Sequence, residues 1–157
     1  MSKSELVVMV GGPAAGKSSV AKAMFRDLPR VDCDEVKSEH PDYDPKKPWT
    51  VHEWSAAEAL RRLMGYLSRG ESVVYDGTGT NGERLAMLVG MARATGMRVT
   101  AVLVTCSVDT AVQRNAGRER VVPEAMLREK HAKVAETWPV VRGMVDAYEV
   151  VDTEEGR

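Results

Sequence analysis

Four groups of residues along the 157-residue chain have types and spacing that could do chemistry. The first is Gly11-Gly12-Pro13-Ala14-Ala15-Gly16-Lys17-Ser18, with Ser19 after it, and it fits G-x-x-x-x-G-K-[ST]. Glycines let backbone N–H groups turn inward without a Cβ in the way. A helix starting near Lys17 adds its positive dipole end. Lys17 brings a full charge to β/γ-phosphates, and the Ser18 hydroxyl can ligate Mg²⁺. The stretch is therefore expected to hold ATP or another nucleoside triphosphate through residues 11–19.

The second and third groups are acids at strand ends. Asp34 follows "RVDCD", and Asp76 closes the apolar run "SVVYD". An aspartate near a γ-phosphate can hold hydrated Mg²⁺ or take the proton of an attacking hydroxyl. Asp76 is expected to serve the metal through water, and Asp34 to be the general base, with Asp32 and Glu35 as neighbouring competitors. The fourth group is "VQRNAGRERVVPEAML", in which Arg114, Arg118 and Arg120 fall within seven residues. An arginine that closes over a transferring phosphoryl group lowers the barrier. Arg114 and Arg118 are four apart and are expected to share a helix face over the nucleotide. From Arg114 to Lys133 there are six Lys/Arg against three Glu, the chain's one basic stretch and the expected lid.

The elements that would position these groups alternate in kind. Leu6–Val10 is a continuous apolar run suited to a buried parallel strand. Helical spacing follows over Ser18–Leu28, then a second strand over Arg30–Asp34 and a proline-bearing loop over Lys37–Thr50. "VHEWSAAEALRRLMGYLSRG" reads as a helix with Trp54, Ala57, Leu60, Leu63, Met64 and Leu67 on one stripe. A third strand, a helix ending at Gly96, a fourth strand, helical patterns over Val108–Asn115 and Pro123–Thr137, and a strand at Tyr148–Asp152 complete the series. "TEEGR" is expected to fray. Strand and helix in repeated alternation imply crossover connections. The expected fold is α/β, a P-loop NTPase three-layer sandwich: a parallel sheet of about five strands flanked by helices, with a helical lid at about 114–133, in a single domain over residues 1–157.

The bulk properties exclude several classes. About 43% of residues are hydrophobic, enough for a sizeable core, and the net charge of −1 gives no global basic field for a polyanion. Cys33 and Cys106 form no disulfide or metal framework and read as small core residues; His40, His52 and His131 show no zinc spacing. No signal peptide and no apolar run of roughly 20 residues is present, so the expectation is a cytoplasmic protein with no membrane partner.

GGPAAGKS, then D-x-x-K at Asp34–Lys37, then Asp76 with Thr78 and Asn81 after it, then RNAGR followed by VVP, resembles the kinase domain of phage-type polynucleotide 5′-hydroxyl kinases. Zeta-toxin-like kinases and small-molecule kinases of the same P-loop branch share most of the pattern. The resemblance spans roughly Leu6 to Trp138. It implies that Lys17 and Ser18 bind the phosphates and metal, that Asp34 activates the acceptor hydroxyl, and that Arg118 is the lid arginine. It also implies that Lys37, Asp76 and Thr78 lie on the acceptor side. Lys37 stands where the family has an arginine that grips an acceptor phosphate, so a fork becomes a point charge. The stretch Asp32 to Asp44 holds six acids and one lysine, an unfavourable neighbour for a nucleic-acid backbone. No partner domain is expected in a chain of this length.

Three functions compete at this point. A kinase for a hydroxyl on nucleic acid (DNA or RNA) needs the parts above, whether the acceptor is a 5′ end or a hydroxymethylated pyrimidine. A kinase for a small molecule, a nucleoside or nucleotide sugar, fits the acidic loop better. A nucleotide-dependent switch would want a base-specific N-K-x-D tetrapeptide, which does not occur here. Tyr43, Trp49 and Trp54 could stack a base or could simply pack, Trp54 being the best core candidate.

Overall fold

A computed structural model describes residues 4–77, 79–118 and 121–154. Five strands form one all-parallel sheet in the order β2-β3-β1-β4-β5. They are β1 (Glu5–Val10), β2 (Arg30–Asp32), β3 (Val73–Asp76), β4 (Arg98–Thr105) and β5 (Ala147–Asp152). The helices are α1 (Lys17–Met24), α2 (Cys33–Lys37), α3 (His52–Ser68), α4 (Gly82–Ala94), α5 (Val108–Ala116) and α6 (Glu124–Met144).

Strand β1 explains the layering. Successive strand side chains point to opposite faces. Leu6, Val8 and Val10 join one core with α3, α4 and α6, while Val7 and Met9 join a second core with Ala21 of α1. Each such side chain contributes about 1.5–3 kcal/mol by leaving water. The central strand is thus fixed from both faces, and the loop at its carboxyl end is fixed with it.

Three boundaries differ from the sequence expectation. Strand β2 stops at Asp32 because the Asp32 carboxylate accepts from the Asp34 N–H at 2.8 Å and caps α2. Asp34 therefore sits in a helical first turn, not at a strand end. The buried row of α3 is Ser55, Ala59, Leu63 and Leu67, and both Trp54 and Met64 are exposed. Helix α6 runs on through Pro139 to Met144. An interior proline costs about 3 kcal/mol, offset here by buried Leu127, Val134 and Val141.

The chain end is also held as far as Glu154. Thr153 donates to the carbonyls of Ala15 (2.6 Å) and Thr105 (3.1 Å), and Glu154 accepts from the Ser107 N–H at 2.7 Å. Cys33 and Cys106 are partly buried free thiols packed against the first and second core respectively, and burial pushes both thiol pKa values up.

Candidate active site

The carboxyl ends of β1 and β3 open into a cleft of about 540 Å³. In sheets of this kind, ligands bind outside the carboxyl ends of the strands. Lys17, Ser18, Ser19, Asp34, Lys37, Asp76, Arg114 and Arg118 all line it. Thr78 and Arg120 lie outside the described residues. Gly11 and Gly12 are buried beneath the loop, and Pro13, Ala14 and Gly16 face the cleft.

The loop has the form that a phosphate chain requires. Gly16 has φ +101°, and Ala14 adopts a left-handed φ of +62°. No side chain caps α1, so the N–H groups of its first turn remain directed at the cleft. A Cβ on Gly11 would meet Lys17 Cγ at 2.9 Å, and one on Gly12 would overlap the His131 ring. These features fit a nucleoside triphosphate.

The loop is also gripped from outside. His131 of α6 approaches the Pro13 carbonyl through Nε2 at 2.8 Å, so that nitrogen carries the proton. Arg114 donates to the Ala15 carbonyl at 3.4 Å and the Thr153 carbonyl at 2.5 Å. Arg114 thus clamps the loop backbone as well as lining the cleft.

The acids divide by environment. The Ser18 hydroxyl donates to Asp76 Oδ2 at 2.9 Å and Asp32 Oδ2 at 3.2 Å. Arg30 donates to the same two oxygens at 2.7 Å (Asp32) and 3.0 Å (Asp76), and it also pairs with Glu35. Burial raises the Asp76 pKa above the usual carboxylate range; Lys17 opposes this, Asp32 adds to it, and Ser18 and Arg30 oppose it. One hydroxyl and two carboxylates are hard oxygen donors suited to Mg²⁺. Among the described residues no cluster of three His, Cys, Asp or Glu could hold a metal alone.

Asp34 joins this network through its N–H, which Asp32 accepts, while its side chain lines the cleft. Its side chain is 45% exposed and pairs with Lys37 Nζ at 3.3 Å. Lys37 itself is only 5% exposed. A second cleft adjoins through Lys37, His52 and Lys130, and Trp49 and Trp54 form part of its wall. Both indoles are 40% exposed, and Trp54 meets His40 edge-on at 4.9 Å.

The lid differs from the expected helix. α5 ends at Ala116, so Arg118 lies beyond it and shares no helix face with Arg114, although both reach the cleft. Buried Asn115 donates to the Val122 carbonyl (2.6 Å) and accepts from the Val122 N–H (3.0 Å), pinning the loop's return. Asn81 caps α4 by accepting from the Arg84 N–H at 2.9 Å.

Sequence reading placed Asp32 only as a competing base, and it missed Arg30, Lys130, His131 and Thr153. The D-x-D spacing was the available signal for Asp32, which pairs in register with Asp76 across β2 and β3. Arg30 begins the same strand as Asp32, and Lys130, His131 and Thr153 come from distant segments and have no local signature.

A five-stranded parallel sheet with this loop at its central strand is a P-loop NTPase-like fold of the kinase-like kind. Residues 6–137 match the AAA domain family, and the chain belongs to it. A comparison of the sequence with curated proteins gives no match. Among solved structures, the fold is similar to a chain of the AvrRxo1-ORF1:AvrRxo1-ORF2 complex (TM-score 0.75, 18% identity, 96% of this chain and 55% of that one). It is similar to a chain of the Pnkp1/Rnl/Hen1 RNA repair complex (0.66, 17% identity, 88% and 46%). It is also similar to shikimate kinase from Acinetobacter baumannii (0.56, 18% identity, 96% and 84%). The chain spans only about half of the first two relatives.

Proposed function

We propose that the protein is an ATP-dependent phosphotransferase that moves the γ-phosphate to a hydroxyl on nucleic acid, in the simplest case a 5′-terminal hydroxyl. The observation that carries this reading is Asp34. It is a solvent-accessible carboxylate, 45% exposed, in the same cleft as Lys17 and Ser18, whereas Asp32 and Asp76 are buried against Ser18. Two kinds of acid in one cleft suit two tasks.

Asp34 accepts the proton of the acceptor hydroxyl as its oxygen bonds to the γ-phosphorus and the bond to the bridging oxygen breaks. Lys17, the loop N–H groups and Arg118 stabilise the charge that builds on the oxygens. Ser18, Asp76 and Asp32 would hold Mg²⁺, which would supply neutralisation of the phosphate charge. Lys37 orients Asp34 through their ion pair. The similarity to a chain of an RNA repair complex supports a nucleic-acid acceptor, as do two half-exposed indoles beside the transfer site.

A second reading is a small-molecule kinase, and a hydroxymethylated pyrimidine in DNA is a variant of the first. Asp42, Glu53 and Glu129 line the second cleft and disfavour a polyanion there, and shikimate kinase shares the fold. Transfer of label from γ-labelled ATP tests the readings together. The acceptors are a 5′-hydroxyl oligonucleotide, its 5′-phosphorylated twin and a duplex bearing hydroxymethylated pyrimidines. Label on the first alone supports the 5′-kinase. Label on the duplex regardless of its ends moves the acceptor to the base. Label on none of them leaves the small-molecule reading. Among the described residues no helix is long and apolar enough to cross a membrane.

A further inference from the structure

Arg30 opens β2, and residues two apart on a strand share a face, so it lies on the same face as Asp32. Asp32 in turn stands beside Asp76 in the register of β2 and β3. One guanidinium nitrogen, Nη1, donates to Asp32 Oδ2 at 2.7 Å and to Asp76 Oδ2 at 3.0 Å. The Ser18 hydroxyl donates to the same two oxygens. Two donors therefore turn both carboxylates toward one point. The second nitrogen, Nη2, pairs with Glu35 of α2. One guanidinium thus ties the acids that would hold the metal to the helix that carries Asp34.

Two buried carboxylates side by side repel each other. Burial holds the Asp76 pKa up and the Asp32 charge adds to it; Lys17, Ser18 and Arg30 pull the other way. A guanidinium keeps its charge at any working pH, so Arg30 is a permanent counter-ion for the pair. Without it, the two acids would offer two negative charges to any free divalent cation. With it, half of that charge is offset, and the Oδ2 oxygens already accept hydrogen bonds. Asp32 is committed further, because its Oδ1 accepts from the Asp34 N–H. A nucleotide changes the balance, since its phosphates bring negative charge and oxygen ligands to Lys17 and Ser18.

We propose that Arg30 is a positioning residue for the metal site: a fixed counter-ion that aims the Asp32 and Asp76 carboxylates and keeps their affinity for free Mg²⁺ low, so that the metal is taken up together with the nucleotide. The inference deepens the phosphotransfer reading and rests on its nucleotide site.

The test uses Mn²⁺ as the probe, with free ion counted by electron paramagnetic resonance. Titrations are run without nucleotide, at pH 8 to limit competition by protons. Arg30→Gln keeps N–H donors near the aspartates but removes the charge. It is expected to bind Mn²⁺ about ten-fold or more tightly than wild type, because an opposite charge this close shifts a carboxylate's proton affinity by about 10- to 1000-fold. Arg30→Lys keeps a charge and should return the affinity most of the way to the wild-type value. Adding Asp32→Asn to Arg30→Gln should abolish the gain. A merely structural role for Arg30 predicts the opposite sign, since a disordered site binds metal less well. Unchanged or weaker Mn²⁺ binding by Arg30→Gln overturns the proposal.

A second measurement does not depend on how well that variant folds. With Arg30 in place, Asp32→Asn alone should leave the affinity for free Mn²⁺ within about two-fold of wild type, because the paired acids hold little free metal. A ten-fold loss there would mean that the acids bind free metal despite Arg30, and the proposal would fail. Label transfer is scored apart. Tighter Mn²⁺ binding by Arg30→Gln with no wild-type transfer to any hydroxyl would support the role of Arg30 and break the phosphotransfer reading. Wild-type transfer with unchanged Mn²⁺ affinity in Arg30→Gln would do the reverse.

Discussion

The two ends of the cleft are built in opposite ways. At the donor end, the outward carbonyls of the phosphate loop are held by His131, Arg114 and Thr153, which come from three distant parts of the chain. The strand beneath is buried on both faces. At the acceptor end, over residues 38–50, most polar contacts are local. Ser38 bonds the Glu35 carbonyl, the Asp42 N–H meets His40 Nδ1, the Lys46 N–H meets Asp44, and Thr50 meets the Lys47 carbonyl. The Glu39–Arg62 pair and the Val121 N–H to Pro45 carbonyl bond reach further. Distant contacts make the donor end part of the fold. Local ones let the acceptor end change without disturbing it, as expected of a specificity loop on a rigid scaffold.

Substitutions of the transfer residues test this contrast most severely. Asp34→Ala should lower transfer by about 10³-fold, a general base's usual share, and leave the dissociation constant of ATP unchanged. Single-turnover transfer and equilibrium binding check the two halves of that statement. Transfer at the wild-type rate would remove Asp34 from the mechanism. Arg118→Ala should cost about 10²-fold in kcat with little change in ATP affinity. If affinity fell in parallel, Arg118 would bind the ground state, and the lid would belong to the donor scaffold.

Smaller effects probe how the donor end is held. Gly12→Ala places a methyl group in the His131 ring, and should cost about 1–3 kcal/mol of stability by overpacking. Adding His131→Ala should recover much of the melting temperature, because it removes the collision. No recovery would mean that the loop's shape, not the His131 contact, is limiting. Asp76→Asn should do the reverse and stabilise the metal-free protein. Burial holds the Asp76 carboxyl above its ordinary range. Its contribution to stability is therefore present below the ordinary carboxylate pKa and lost as pH rises through the folded-state value. At neutral pH the ionised form is a cost. In chelator, the variant should melt a few degrees higher than wild type at neutral pH and no higher in acid. It should also gain less from Mg·ATP.

What the sequence disclosed follows the same division. The loop at Gly11–Ser18, the strand beneath it and the acid at Asp76 were legible because each is a local pattern with one physical solution. Asp34 does line the cleft, but its setting was not legible. A strand ending in two acids looks the same whether or not the first of them caps a helix over the second. The partners of the loop could not be read, because Arg114, His131 and Thr153 are brought there by tertiary packing. Trp54 fell on the wrong face of α3 because Ser55, a hydroxyl that bonds the His52 carbonyl, occupies a buried position that apolar spacing assigns to its neighbours.

The least disruptive substitution bears most directly on the acceptor. Trp49 lies just before α3, is 40% exposed and lines the second cleft. Trp49→Ala should leave melting temperature and ATP affinity near wild type, since no buried cluster includes it. If a base stacks there, KM for a 5′-hydroxyl oligonucleotide should rise by about five-fold or more, the worth of a single stacking contact. A neutral result in KM would deny the stacking wall. The acceptor would then be defined by charge and a nearby hydroxyl, which a small molecule satisfies as well as a strand end does.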